Sequence, residues 1–253
     1  MGFLNHSHKF SIHRISTHNI LTFKKEKINV MMEASGLKYQ VFLITTQEAV
    51  DRQERCLKFL KSIPALEKVT VLNSERDFED TRRGCFNAHK RWAQEVANNE
   101  NIDVAVVFED DIHSNLSPDE INTKFLECMN FIRVRQPKPD VFFLGHFPWG
   151  RLSRTTAGGS FVKSNYSAQT HAMIIPREYA VEISTWEYTP GTHVDMKLAS
   201  ECRGQFAIYP QIIFQNDTVT YHSRWVDKFL TCVRDVIGPV RLCKWLEWFW
   251  IRV

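Results

Sequence analysis

The chain has 253 residues, of which 43% are hydrophobic and 24% charged, and its net charge is +3. That length suits one large α/β domain, and that composition excludes a disordered chain. A balance so near neutral makes no case for a nucleic-acid partner, and no apolar stretch approaches the ~20 residues of a membrane-spanning helix.

Residues 1–36 are basic and hold four irregularly spaced histidines (His6, His8, His13, His18). No helical or strand period runs through them, and they lack the apolar run of a secretory leader, so a flexible basic tail is expected there. The globular domain is expected over 37–225. YQVFLITT (39–46) reads as a β-rich strand. VDRQERCLKFLKS (50–62) sets Val50, Cys56, Leu57 and Leu60 at helical spacing, and Pro64 stops that helix. KVTVLNS (68–74) is a second strand, GCFNAHKRWAQEVANN (84–99) a second amphipathic helix, and VAVVFED (104–110) a third strand. SPDEINTKFLECMNFIRVR (117–135) opens as a helix should, with Ser117 as N-cap, Pro118 next, and Asp119 and Glu120 in the first turn. DVFFLGH (140–146) is the fourth strand.

After Gly145 the regularity weakens. HFPWGRLSRTTAGGSFVKSN (146–165) reads as loop, QTHAMIIP (169–176) as a strand, REYAVEISTW (177–186) and THVDMKLASECR (192–203) as short helices, and QFAIYPQIIFQND (205–217) as a strand with an extended continuation. Strand and helix alternate at βαβ spacing, which predicts a mostly parallel, doubly wound sheet flanked by helices on both faces. The last segment, 226–253, is a separate aromatic-basic tail: PVRLCKWLEWFWIRV (239–253) mixes tryptophans with Arg241, Lys244 and Arg252. It reads equally as a helix lying at a membrane interface or as one packed on the protein body. The expected location is cytoplasmic, peripheral to a membrane if the first reading holds. Six cysteines occur without a CxxC pair, and reduced thiols are expected, because Cys56, Cys85 and Cys128 fall in helices of a large core.

The third strand drives five apolar residues into Glu109, Asp110 and Asp111. Adjacent carboxylates repel and resist burial, so something positive should meet them. A solvated turn is one reading. A metal-free acid–base pair is another, but it needs carboxyls several Å apart across a sugar ring, which one strand end does not provide by itself. A divalent-cation site is the third. Mg²⁺ and Mn²⁺ take carboxylates together with substrate phosphates, and residues i and i+2 of an extended chain point the same way. Glu109 and Asp111 would then share a face and Asp110 would point elsewhere, toward a donor ribose. Arg82, Arg83 and Gly84 precede the second helix, whose N-terminus offers backbone N–H groups to phosphate and whose arginines can grip it, with His89 and Lys90 beyond.

VFLITT (41–46), RGCFNAHKRW (83–92), VVFEDD (106–111), FFLGH (142–146), HAMIIPREYA (171–180) and HVDMKL (193–198) together resemble glycosyltransferase family 25, which includes lipopolysaccharide-core and collagen galactosyltransferases. The resemblance spans about residues 39–222. It implies a GT-A fold, one Rossmann-like domain whose acidic motif binds Mn²⁺ (or Mg²⁺) and a UDP-sugar. It also implies transfer of a galactose or glucose to a glycan, glycolipid or glycoprotein hydroxyl. On this reading Glu109, Asp111 and the late His222 are metal ligands. Thr45, Arg83, His89, Asp110 and Gly145 line the donor, with Trp149 in a closing loop. Asp195, at a helix start whose dipole favours negative charge, is the base of an inverting transfer, with His193 as its stand-in. Ala88 stands where the family pattern commonly has serine. The same carboxylate–metal chemistry also suits a nucleotidyltransferase, and a degenerate relative would bind glycans without turnover.

Overall fold

A computed structural model describes residues 36–148, 152–156 and 159–215. Both tails, Trp149 and His222 lie outside the described residues. The chain runs β1 (Tyr39–Thr46), α1 (Val50–Lys61), a 3-10 turn (Pro64–Leu66), β2 (Val69–Ser74), α2 (Thr81–Ala97), β3 (Val104–Glu109), β4 (Ile112–His113) and α3 (Pro118–Val134). It continues through β5 (Val141–Pro148), β6 (Leu152–Arg154), β7 (Phe161–Ser164), β8 (Ser167–Pro176), α4 (Arg177–Ser184), α5 (Val194–Glu201), β9 (Gln205–Ile208) and β10 (Phe214–Gln215).

Eight strands form one sheet in the order β2-β1-β3-β8-β5-β9-β7-β6. β1 pairs in parallel with β2 and β3, and β5 with β9; β8 is antiparallel to both β3 and β5, and β7 to both β9 and β6. All strands but β7 and β8 therefore share one direction, and the sheet is mostly parallel as expected. The expected fourth βαβ repeat is corrected: β5 does not lie beside β3, because β8 is inserted between them. The expected loop over 146–165 is corrected too, since β5 continues to Pro148 and β6 and β7 form an antiparallel edge.

Alternation along the strands builds the two cores. Val41 and Leu43 of β1, with Val104, Val106 and Phe108 of β3, pack on one face against Cys56 and Leu60 of α1 and Ile121, Phe125 and Met129 of α3. Phe42, Ile44, Ala105 and Val107 pack on the other face against Phe86 and Trp92 of α2, Ala180 and Ile183 of α4, and Leu198 of α5. A period of two sends successive side chains to opposite layers, so these strands read as unbroken apolar runs. Among the described residues no helix is long and apolar enough to cross a membrane, and Cys56, Cys85, Cys128 and Cys202 are free thiols.

The start of α3 is fixed as its sequence suggests. Ser117 accepts from the Glu120 backbone N–H, and the Glu120 side chain accepts in return from the Ser117 N–H at 2.8 Å, a complete capping box. Ser117→Ala should cost about 1 kcal/mol of stability, measured by urea unfolding; no change would show that the cap contributes nothing.

Candidate functional site

The chain enters the sheet at β1, steps outward to β2, then returns across β1 to β3. The crossovers diverge at β1 and β3, and in open α/β sheets ligands bind at the carboxyl ends of such strands. Thr45 is the penultimate residue of β1 and Glu109 closes β3 at that edge. The acid cluster therefore lies where the topology leaves a crevice.

The two faces of the sheet sort the acids. Glu109 continues the Ala105–Val107 series toward α2, where Oε1 is 3.1 Å from His89 Nε2 and accepts from Thr170 Oγ1 of β8 at 2.7 Å. Burial alone would push its carboxyl up, but the hydrogen bonds from His89 and Thr170 outweigh it and hold Glu109 below the usual range. Asp110 turns to the α1 side. It is buried, accepts from Thr45 Oγ1 at 2.6 Å, and meets Arg52 Nη2 of α1 at 3.4 Å. Burial raises the Asp110 carboxyl, with the Thr45 hydroxyl and Arg52 opposing. The Cys56 thiol donates to the Asp110 carbonyl at 3.0 Å and fastens the turn to α1.

Asp111 has the least support of the three. Gln215 Nε2 of β10 donates to its Oδ2 at 2.8 Å, while Oδ1 is buried with no hydrogen-bond partner. Burial, then the neighbouring Glu109 charge, pushes its carboxyl up to about 7. The protein thus meets Asp110 with an arginine and Glu109 with two donors, and leaves Asp111 short by one partner. Among the described residues no group of three or more His, Cys, Asp or Glu side chains forms a ready metal cage. A pair of carboxylates, one with an orphaned oxygen, nevertheless fits a hard cation that completes its shell with water and phosphate oxygens.

β8 is deformed beside this pair. Its register against β5 steps from Gly145↔Ala172 to Phe147↔Ala168, so three residues of β8 face one of β5. Within that bulge Gln169 has φ 77°, a left-handed conformation unusual for a non-glycine residue. Bulges re-aim side chains beside functional sites, and here the residue after Gln169 is the Thr170 that reaches Glu109.

Several expected donor residues have other tasks. Thr45 and Asp110 bond to each other and are buried, so neither lines an open donor site. Arg83 does not stand free for phosphate: it is paired to Asp77 at 2.5 Å and Glu79 at 3.2 Å. The α2 N-terminus is also occupied, because Asp80 caps it by accepting from the Arg82 and Arg83 N–H groups. His89 is buried behind Glu109, with Trp92 Nε1 on its other nitrogen at 3.2 Å, so both ring nitrogens are taken up by protein partners. Gly145 is explained by packing: a Cβ there would lie 2.1 Å from the Ile213 carbonyl oxygen and 2.4 Å from His171 Nε2.

Asp195 is half-buried in the first turn of α5, and its Oδ1 accepts from the Met196 N–H at 2.8 Å. His193 is the N-cap residue of that helix and makes no side-chain cap hydrogen bond. The charges of Asp195 and of the acids both reach the exposed Cys85 of α2. Desolvation by surrounding protein, then the charges of Glu109, Asp195 and Asp111, raise its thiol. His222, the expected third ligand, lies outside the described residues.

Thr170, Gln215, Arg52 and Trp92 are the site residues that sequence reasoning missed. Arg52, Thr170 and Gln215 reach the acids from other elements, so no local pattern flags them. Trp92 was legible as the i+3 neighbour of His89 on one helix.

No family model matches the chain, and no curated protein does. Solved structures similar to it include A197 from STIV, at 12% identity and TM-score 0.36, covering 75% of this chain and 100% of that one. Another is a glycosyltransferase involved in the glycosylation of the major capsid of PBCV-1, at 13% identity and TM-score 0.41, covering 65% and 75%. A third is HddC from Yersinia pseudotuberculosis, at 13% identity and TM-score 0.37, covering 75% and 77%. At such low overlap none of them bears on the chemistry, which rests on the strand order and the acids above.

Proposed function

We propose that the chain is a metal-dependent glycosyltransferase of GT-A type, akin to family 25, that moves a galactose or glucose from UDP to a glycan or protein hydroxyl with inversion. The observation that carries this reading is the buried, unpartnered Oδ1 of Asp111 beside Glu109, at the carboxyl end of the strand where the crossovers diverge. A cation bound there would hold the donor diphosphate and offset charge on departing UDP.

The chain's own residues supply the rest. Glu109 and Asp111 would hold the cation that takes the donor diphosphate. Asp110, tied to Thr45 and Arg52, keeps the turn between them rigid. Asp195, whose charge reaches the same Cys85 thiol as those of Glu109 and Asp111, takes the proton from the acceptor hydroxyl as the new bond forms on the face opposite the leaving diphosphate.

UDP release from UDP-galactose or UDP-glucose, dependent on Mn²⁺ and on an acceptor, tests this reading; pyrophosphate in place of UDP would point to nucleotidyl transfer. Asp195→Asn should keep the Mn²⁺- and UDP-dependent rise in Tm and lose roughly 10²–10⁴-fold in transfer rate. A retained rate in that variant would remove Asp195 as the base.

A further inference from the structure

Trp92, His89, Glu109 and Thr170 form one hydrogen-bonded chain, and the chemistry of its first member fixes the rest. The indole N–H can only donate. Since Trp92 Nε1 lies 3.2 Å from His89 Nδ1, that ring nitrogen must be the acceptor. The ring proton therefore sits on Nε2, which donates to Glu109 Oε1 at 3.1 Å. Thr170 Oγ1 donates to the same oxygen at 2.7 Å, so both bonds land on Oε1 and neither on Oε2.

Burial locks the arrangement. Trp92, His89 and Thr170 are 0%, 1% and 6% exposed, whereas the Glu109 side chain is 23% exposed, so the chain opens to solvent only at its carboxylate end. Residues 89 and 92 share a face of α2, and Thr170 comes from the bulged stretch of the neighbouring strand β8. A carboxylate held through one oxygen by two donors has lost its freedom to rotate.

We infer that Trp92, His89 and Thr170 are positioning residues that hold Glu109 by Oε1 and present Oε2 to a divalent cation; this rests on the reading of Glu109 and Asp111 as cation ligands. Partners of this kind behind a metal-binding carboxylate typically set about 10–100-fold in metal affinity.

Thr170→Val removes one hydroxyl and keeps the shape of the side chain. Trp92→Phe removes the indole N–H. With both variants shown to be folded by circular dichroism, Mn²⁺ affinity at fixed pH, read from the electron paramagnetic resonance of free Mn²⁺, should fall roughly 10–100-fold in each. Nitrogen-15 NMR of histidine-labelled protein should show His89 protonated on Nε2 in the wild type and in Thr170→Val, and a changed tautomer signal in Trp92→Phe. If Trp92→Phe does not fold, Thr170→Val and the wild-type spectrum decide the matter. Wild-type Mn²⁺ affinity retained in folded variants would overturn the positioning role alone, as would a wild-type His89 protonated on Nδ1. A wild type that binds no Mn²⁺ while His89 shows the expected tautomer would instead overturn the cation reading, and the positioning role with it.

Discussion

Asp111→Asn is expected to yield a protein that is more stable at pH 7 and inactive. The Asp111 carboxyl, raised by burial and then by the Glu109 charge, stays protonated up to about pH 7 in the folded chain. Below about pH 4 both folded and unfolded chains hold that proton. Between about 4 and 7 the unfolded chain has released it and the folded chain has not, so stability falls as pH rises through this window. A raise of this size corresponds to at most about 4 kcal/mol, and solvent screening of a half-buried side chain reduces it to about 2 kcal/mol. Asparagine keeps an oxygen for Gln215 to donate to, so the variant should gain about 5 °C in Tm at neutral pH and lose the wild type's decline between about pH 4 and 7. Without a carboxylate there, Mn²⁺ dependence and transfer should both disappear. A variant that is less stable than wild type at pH 7, or that turns over at the wild-type rate, would contradict the assignment of Asp111.

Gly145→Ala should cost more than about 3 kcal/mol, read as a lowered urea midpoint. The Cβ would meet a backbone oxygen, that of Ile213 at 2.1 Å, rather than the end of a flexible side chain. Ile212 and Ile213 are stitched to the Leu144 carbonyl by N–H bonds of 3.0 and 3.2 Å, so the strain falls on β5 and on the segment leading to Gln215. The methyl group would thus pull away the one donor that Asp111 has. A variant within about 1 kcal/mol of wild type would show that this contact is not as tight as described.

How much of this was legible in the sequence follows from the range of each interaction. The apolar runs of β1 and β3, the i, i+3/i+4 faces of α1 and α2, and the Ser117–Glu120 cap are local, and they specified elements correctly. The acids at the end of β3 were legible because a buried run meeting like charges is a local contradiction. The insertion of β8 between β3 and β5 was not, since an apolar strand carries no mark of its direction or neighbours. Nor were the partners of the acids: Thr45 meets Asp110 across 65 positions and Thr170 meets Glu109 across 61. Arg83 read as a phosphate ligand because an arginine at a helix start looks free until Asp77 and Glu79 fold back onto it.

A calorimetric titration of UDP into the protein, with and without Mn²⁺, tests the central claim most directly. The account predicts binding that requires Mn²⁺ and disappears in Asp111→Asn. UDP binding indifferent to Mn²⁺ and unchanged in that variant, or no UDP binding under either condition, would contradict it.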